Sequence, residues 1–318
     1  MARDVTKAAL KKRGLNDGLK KWPFIFLAPF LLTYAAFFVF PICYSFYISL
    51  FRWNIGEKMK YVGLQNYINL LTQDPYFLKS VANTFIIMVI TIPIVICLGL
   101  LLSELLFNEK LRARSFFQTA NYLPYITTPV AVAIIFSLMF DPKIGIVNIV
   151  LVKIGVLSEG MDWMTAAAYL QRTVLITMIV WQQLGYYMLM YLAGMTSIPS
   201  EIYEAARVDG ASRWKIFRRI TVPMLNNVTY FLTITSVIYM LQLMDQPFLL
   251  MRGVSQGATR TIEKPLMTVM TNFYEQSVQN GRFGHGAAVT YGLFFIILIV
   301  TFSGMSLLKK KGGNNFED

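Results

Sequence analysis

Two sets of side chains in this sequence are spaced so that they could act together. One runs from Ile198 to Pro223, where Glu204-Ala205-Ala206 and Asp209-Gly210 lead into a basic stretch that carries Trp214, Phe217 and Ile220 and ends at Pro223. The other joins Gln182, Gln183 and Tyr186, which fall within one helical turn, with Ser236, Tyr239 and Gln242 further along the chain. The second set contains amides, hydroxyls and phenols but no charge, which suits hydrogen bonding and stacking on a neutral polar molecule such as a sugar. Membrane helices also use such groups to tie themselves together, and spacing alone leaves both roles open.

Covalent and metal chemistry have little material. His285 is the single histidine, and Cys43 and Cys97 each lie inside an apolar run, where they read as small core hydrophobes. No Gly-x-x-x-x-Gly-Lys-Ser/Thr occurs, so the chain lacks the backbone cradle that holds a nucleotide phosphate. A membrane-embedded enzyme would need a histidine or carboxylate constellation, and scattered acids with one histidine argue against it.

The elements that must position these residues are set by composition. Of 318 residues, 56% are apolar and 14% charged, against about a quarter charged in soluble domains. Six charge-free stretches exceed the length of about 20 residues needed to cross a bilayer: Trp22–Phe51, Ser80–Ser103, Ser115–Phe140, Thr173–Ser200, Ile220–Met244 and Phe283–Leu308. These predict an all-α integral membrane protein with six transmembrane helices over 22–308, a basic segment at 1–21 and a tail at 309–318. The apolar stretch after the basic start is too long for a signal-peptide core, so it reads as a retained first span. Pro29, Pro41, Pro93 and Pro129 should kink their helices.

The net charge of +12 sits between apolar runs, which points to anionic lipid headgroups and away from nucleic acid. Lys and Arg are roughly twice as dense on the side holding both termini, which predicts cytoplasmic termini in a multi-pass membrane protein. Segment 199–223 falls on that same side. An ion-coupled transporter would need ionisable groups at mid-bilayer, and the charge-free runs disfavour it.

Within 199–223 the sequence predicts a helical hairpin. Ser200 should cap the first helix, Glu201 and Glu204 lie near its positive end, Gly210 should end it in a left-handed conformation, and Ser212 should start the second helix. Trp214, Phe217 and Ile220 are three apart and predict one apolar face, rimmed by Arg213, Lys215, Arg218 and Arg219. Such a helix could lie on acidic headgroups or dock on a cytoplasmic protein.

The pattern Glu204-Ala205-Ala206, three residues, Gly210, nine residues, Ile220 and then Pro223 resembles the EAA loop of ABC-importer permeases, with Val222 where leucine is usual. Asp209-Gly210-Ala211 and Phe217 resemble the carbohydrate-uptake branch. Further landmarks occur in the same order as in that branch: Pro41–Leu50 with Trp53, Val62–Tyr67, Asn83-Thr84, Leu123-Pro124, Phe140-Asp141-Pro142 with Gly145 and Asn148, and Leu192–Gly194. The resemblance implies the fold of a type I, maltose-permease-like subunit that forms half of a path for a sugar or oligosaccharide. It implies a second permease as partner, a paralogue for preference, with two cytoplasmic ATPase subunits and an extracellular solute-binding protein. ATP and magnesium would belong to the ATPases, and this chain would bind no cofactor. Glu204 would face basic groups of the ATPase, Gly210 would make the turn, and the apolar residues would fill a groove. The segments of spans four and five that carry Gln182, Gln183, Tyr186, Ser236, Tyr239 and Gln242 are where permeases of this kind touch substrate.

Overall fold

The computed structural model describes residues 22–107, 113–253 and 264–312. The basic segment 1–21 and the end of the tail lie outside the described residues. Helix dominates, because within lipid a helix satisfies every backbone N–H and C=O inside its own segment. Four helices are long and apolar enough to cross: Ile25–Ser49, Phe77–Phe107, Ala168–Thr196 and Phe283–Gly304. Two bent pairs, Arg114–Ile126 with Pro129–Met139 and Arg213–Met224 with Asn226–Leu241, bring the number to six when each pair is one span.

The centre of the bundle is the packing of α4 (Phe77–Phe107) along α8 (Ala168–Thr196). Ile87 of the first packs with Leu175, Met178 and Ile179 of the second, and Val95 with Tyr191, all fully buried. Around them stand α5 (Arg114–Ile126), α6 (Pro129–Met139), α12 (Asn226–Leu241), α13 (Asp245–Gly253) and α15 (Phe283–Gly312). Large apolar residues remain exposed on the outer faces, among them Phe37, Phe116 and Ile299. Lipid tails are as apolar as these side chains, so nothing drives them inward. Cys43 and Cys97 are on this exposed surface and do not belong to the core, contrary to the sequence expectation.

The prolines act in three different ways. Pro129 begins α6, and the residue before a proline is pushed out of helical geometry. Thr127 and Thr128 are accordingly extended, and α5 and α6 meet at 99°. The third charge-free stretch is therefore broken, with Thr128 Oγ1 accepting from Ala131 N at 3.4 Å to cap the restart. Ahead of Pro41 and Pro223 the helix instead widens into π turns, Ala35–Val39 and Phe217–Thr221. A wider turn relieves the clash of the proline ring with the preceding turn and absorbs the missing N–H. Pro29 and Pro93 lie inside helices that continue past them.

At the end of the bundle opposite 199–223, three loops fold back on it, each held by a buried asparagine. Asn66 donates to Ser49 O and Phe51 O, both at 2.8 Å, steadying the small antiparallel pair Phe51–Arg52 and Lys60–Tyr61. Asn148 donates to Asp141 O and Met161 O and accepts from Trp163 Nε1, which closes the loop after α6. Asn83 does the same for the segment that follows residue 264.

Candidate substrate path and coupling hairpin

The hairpin forms largely as predicted. Its first helix, α9 (Ser200–Val208), ends in a pair of bonds that define the turn: Ala211 N donates to Ala206 O and Gly210 N to Arg207 O, both at 3.0 Å. Gly210 has φ +72°, the left-handed geometry this motif requires. The second helix starts at Ser212, whose Oγ accepts from Lys215 N at 3.4 Å. Ser200 does not cap; it is the first helical residue, and Pro199 occupies the capping position with no side-chain bond.

The eight residues singled out here divide by direction. Glu204, Ala205, Asp209, Gly210 and Pro223 are exposed, whereas Ala206 and Phe217 are buried and Ile220 is half-buried. The predicted single apolar face is split. Phe217 is buried in the cluster of Tyr191, Met195 and Leu225, while Trp214, its ring centre 5.5 Å from that of Phe217, is 63% exposed on the outer side of it. The residue that sequence reasoning missed is Tyr203. It is buried, its ring is 5.8 Å from Phe107 at the end of α4, and its hydroxyl is 3.4 Å from Thr221 Oγ1. Burial raises the pKa of this phenol, and the hydrogen bond to Thr221 opposes that rise. The hairpin therefore rests on the second span as well as on the two spans it joins.

The uncharged polar set is brought together only in part. Gln182 is buried, donating to Thr127 O at 3.2 Å and accepting from Gln246 Nε2 at 3.1 Å. Ser236 is also buried, hydrogen-bonded to Tyr187 and to Leu232 O. These two tie helices together, the second of the two roles that the sequence left open. Tyr239 is 40% exposed, with its hydroxyl accepting from Gln246 Nε2 at 2.9 Å and lying near Gln183. Gln242 is exposed in the turn between α12 and α13, and Gln183 and Tyr186 are half-buried. Tyr186 stacks on Tyr125 from α5, with ring centres 5.0 Å apart and planes at 14°. Tyr125 and Gln246 were not foreseen, since neither α5 nor α13 held a residue in the spaced set. Together Tyr125, Gln183, Tyr186, Tyr239 and Gln242 present aromatic faces and amides to open space, and Asp245 is the charge beside them. No group of three or more metal-ligating side chains exists among the described residues.

Residues 76–309 match the family described as the binding-protein-dependent transport system inner membrane component. The chain is 34% identical to the lactose transport system permease protein LacF of Rhizobium radiobacter, over 87% of this chain and 91% of that one. It is 30% identical to the arabinooligosaccharides transport system permease protein AraP of Bacillus subtilis, over 94% and 93%. A crystal structure of a bacterial ABC transporter involved in import of the acidic polysaccharide alginate shares the fold, with a TM-score of 0.79 at 22% identity, over 94% of this chain and 99% of that one. A match over most of the chain, a hairpin of the expected shape and the shared fold agree: this chain belongs to the family of inner membrane components of binding-protein-dependent transport systems.

Proposed function

We propose that this chain forms half of the membrane path of an ABC importer for a neutral sugar or short oligosaccharide. The observation that carries the substrate class is the open patch of Tyr125, Gln183, Tyr186, Tyr239 and Gln242, where a stacked tyrosine pair adjoins amides and the neighbouring charge is the carboxylate of Asp245. Aromatic faces suit sugar rings and amides suit their hydroxyls, while the carboxylate repels anions. The names of the relatives, lactose and arabinooligosaccharide permeases among them, support the same class.

One six-span bundle leaves this patch open, so a second permease, a paralogue for preference, completes the path, and rocking of one bundle against the other exposes the site alternately. The exposed Glu204, Ala205, Asp209 and Gly210 form the seat for one of two ATPase subunits, which bind and hydrolyse ATP with magnesium; this chain does no chemistry. Both termini and the hairpin lie in the cytoplasm, and a solute-binding protein delivers sugar to the opposite face. Reconstituted with its partners in proteoliposomes, the transporter should take up neutral di- or oligosaccharides in an ATP-dependent manner and leave glycerol phosphate and alginate oligosaccharides outside. Uptake confined to the anionic compounds would overturn the assignment.

A further inference from the structure

Asn83-Thr84 is a sequence landmark to which neither the path nor the hairpin gives a role. Both residues are buried near the start of α4, Asn83 only 1% exposed; Asn83 binds the segment that precedes α14 (Val269–Tyr274) and Thr84 binds the first residue of that helix. Asn83 uses its whole amide. Nδ2 donates to Lys264 O and Met267 O, each at 3.1 Å, and Oδ1 accepts from Arg172 Nη2 at 2.7 Å. Arg172, near the start of α8, also donates through Nε to Pro265 O at 3.4 Å. Thr84 Oγ1 accepts from Val269 N at 3.2 Å, and Thr268 caps α14 while donating to Leu243 O at 2.6 Å.

The segment held in this way continues to the surface. After α14 and the π turn Glu275–Gln279 the chain reaches Gly281, whose carbonyl accepts from Ile55 N at 2.8 Å, and Gly284 N donates to Trp53 O at 3.2 Å. Ile55 and Val278 are exposed beside this junction, 74% and 59%. A continuous run of hydrogen bonds therefore connects Asn83 and Arg172, on spans two and four, to an apolar tip at the end of the bundle opposite the hairpin.

We propose that Asn83 is a positioning residue: with Arg172 it fixes the 264–282 segment so that the tip around Ile55 and Val278 is held ready for the solute-binding protein. The inference rests on the importer assignment above for the identity of that partner. Spans two and four are also the spans that meet the hairpin, Phe107 at the end of α4 touching Tyr203 and α8 leading into α9. The clamp thus joins the receiving surface to the same two helices that the ATPase would move.

The test uses the whole transporter in lipid nanodiscs with its own solute-binding protein, saturated with the sugar identified in the uptake panel. Asn83→Asp keeps the acceptor for Arg172 but replaces two donated hydrogen bonds by repulsion from Lys264 O and Met267 O. It should raise the binding-protein concentration for half-maximal stimulation of ATP hydrolysis roughly tenfold and leave the maximal rate within about twofold. Hydrogen exchange across 264–282 should rise in parallel, and Arg172→Lys should show the same pattern more weakly. Unchanged exchange would overturn the clamp itself. Faster exchange with an unchanged half-maximal concentration, or a fall in maximal rate alone, would overturn its role in receiving the partner. Should the unaltered transporter fail to respond to any loaded binding protein, the importer assignment fails first, and the exchange measurement identifies that case separately.

Discussion

A Cβ built on Gly185 would collide with the carbonyl oxygen of Asn121 and lie 2.7 Å from Tyr122 Cα. Helices α5 and α8 thus cross with their backbones in contact, and this crossing brings Tyr125 within stacking distance of Tyr186. Gly185→Ala should push α5 outward at a cost of roughly 1–3 kcal/mol, since overpacking a close contact is relieved only by backbone shift. Thermal unfolding of the purified complex should show the loss, and sugar uptake should fall more steeply than stability. An unshifted melting temperature with normal uptake would show that the crossing is looser than described.

The stacked pair makes its own prediction. Tyr186→Ala and Tyr239→Ala should each reduce uptake of the natural sugar about tenfold while the complex assembles normally, because these rings carry open surface. Gln182→Ala should behave differently: it leaves Thr127 O and Gln246 without their partner, so assembly and thermal stability should suffer first. Extraction yields and uptake measured side by side separate the two outcomes. Equal behaviour of all three variants would erase the distinction between lining and tying residues.

At Gly210 an added Cβ would meet nothing within 4 Å, so substitution there acts through the backbone alone. Gly210→Val should cost on the order of 1–2 kcal/mol at φ +72° and weaken ATPase co-purification, whereas Gly210→Asn, which tolerates that geometry, should retain it. Glu204→Lys, which reverses an exposed charge on α9, should also uncouple hydrolysis from uptake. If Val and Asn at position 210 were equally harmful, loss of a close contact with the partner would replace backbone strain as the cause.

Asp74 provides a pH prediction. Burial tends to raise its pKa, but the hydrogen bond from His285 Nε2 at 3.0 Å and those from Tyr76 N and Phe77 N outweigh it and hold the carboxyl below the usual carboxylate range. A depressed folded pKa means that the ionised group stabilises the fold fully above its unfolded value and that this contribution disappears as pH falls through the folded value. Stability from this site should therefore be constant at neutral pH and decline only below about pH 4. Asp74→Asn should lose roughly 1–3 kcal/mol at neutral pH and flatten the acid decline. Melting temperatures of both proteins across pH 3–7 check this, and an unaltered acid decline in the variant would assign it to other carboxylates.

The hairpin was legible because its turn is local: Gly210 and Ser212 are recognisable from a few neighbours, and their geometry appears as read. Trp214 was not, because the spacing correctly sets it beside Phe217 but does not show which of the two rings the bundle covers. Charge-free length predicted the third crossing but not its direction, since Thr127 and Thr128 interrupt the helix without any charge to mark it. Gln182 and Tyr186 share a helix face by spacing, yet α5 and α13 cover one and leave the other partly open, and that depends on neighbours distant in the sequence.

The widened turn at Phe217–Thr221 also sets how the hairpin and the fifth span are phased. A π turn holds one residue more than an α turn, so the chain there carries a one-residue surplus. Both turns complete about one revolution, so removing the surplus residue would restore α-helical pitch and leave the hairpin close to its present bearing on the fifth span, whereas the same deletion in an unbroken α-helix would rotate everything before it by about 100°. Phe217 would stay near its cluster and the exposed face of α9 would keep its bearing on the bundle, at the cost of a clash between the Pro223 ring and the tightened turn. The surplus residue therefore acts as slack that absorbs the proline locally, so that a push on the hairpin enters the membrane on the heading an unbroken helix would give it.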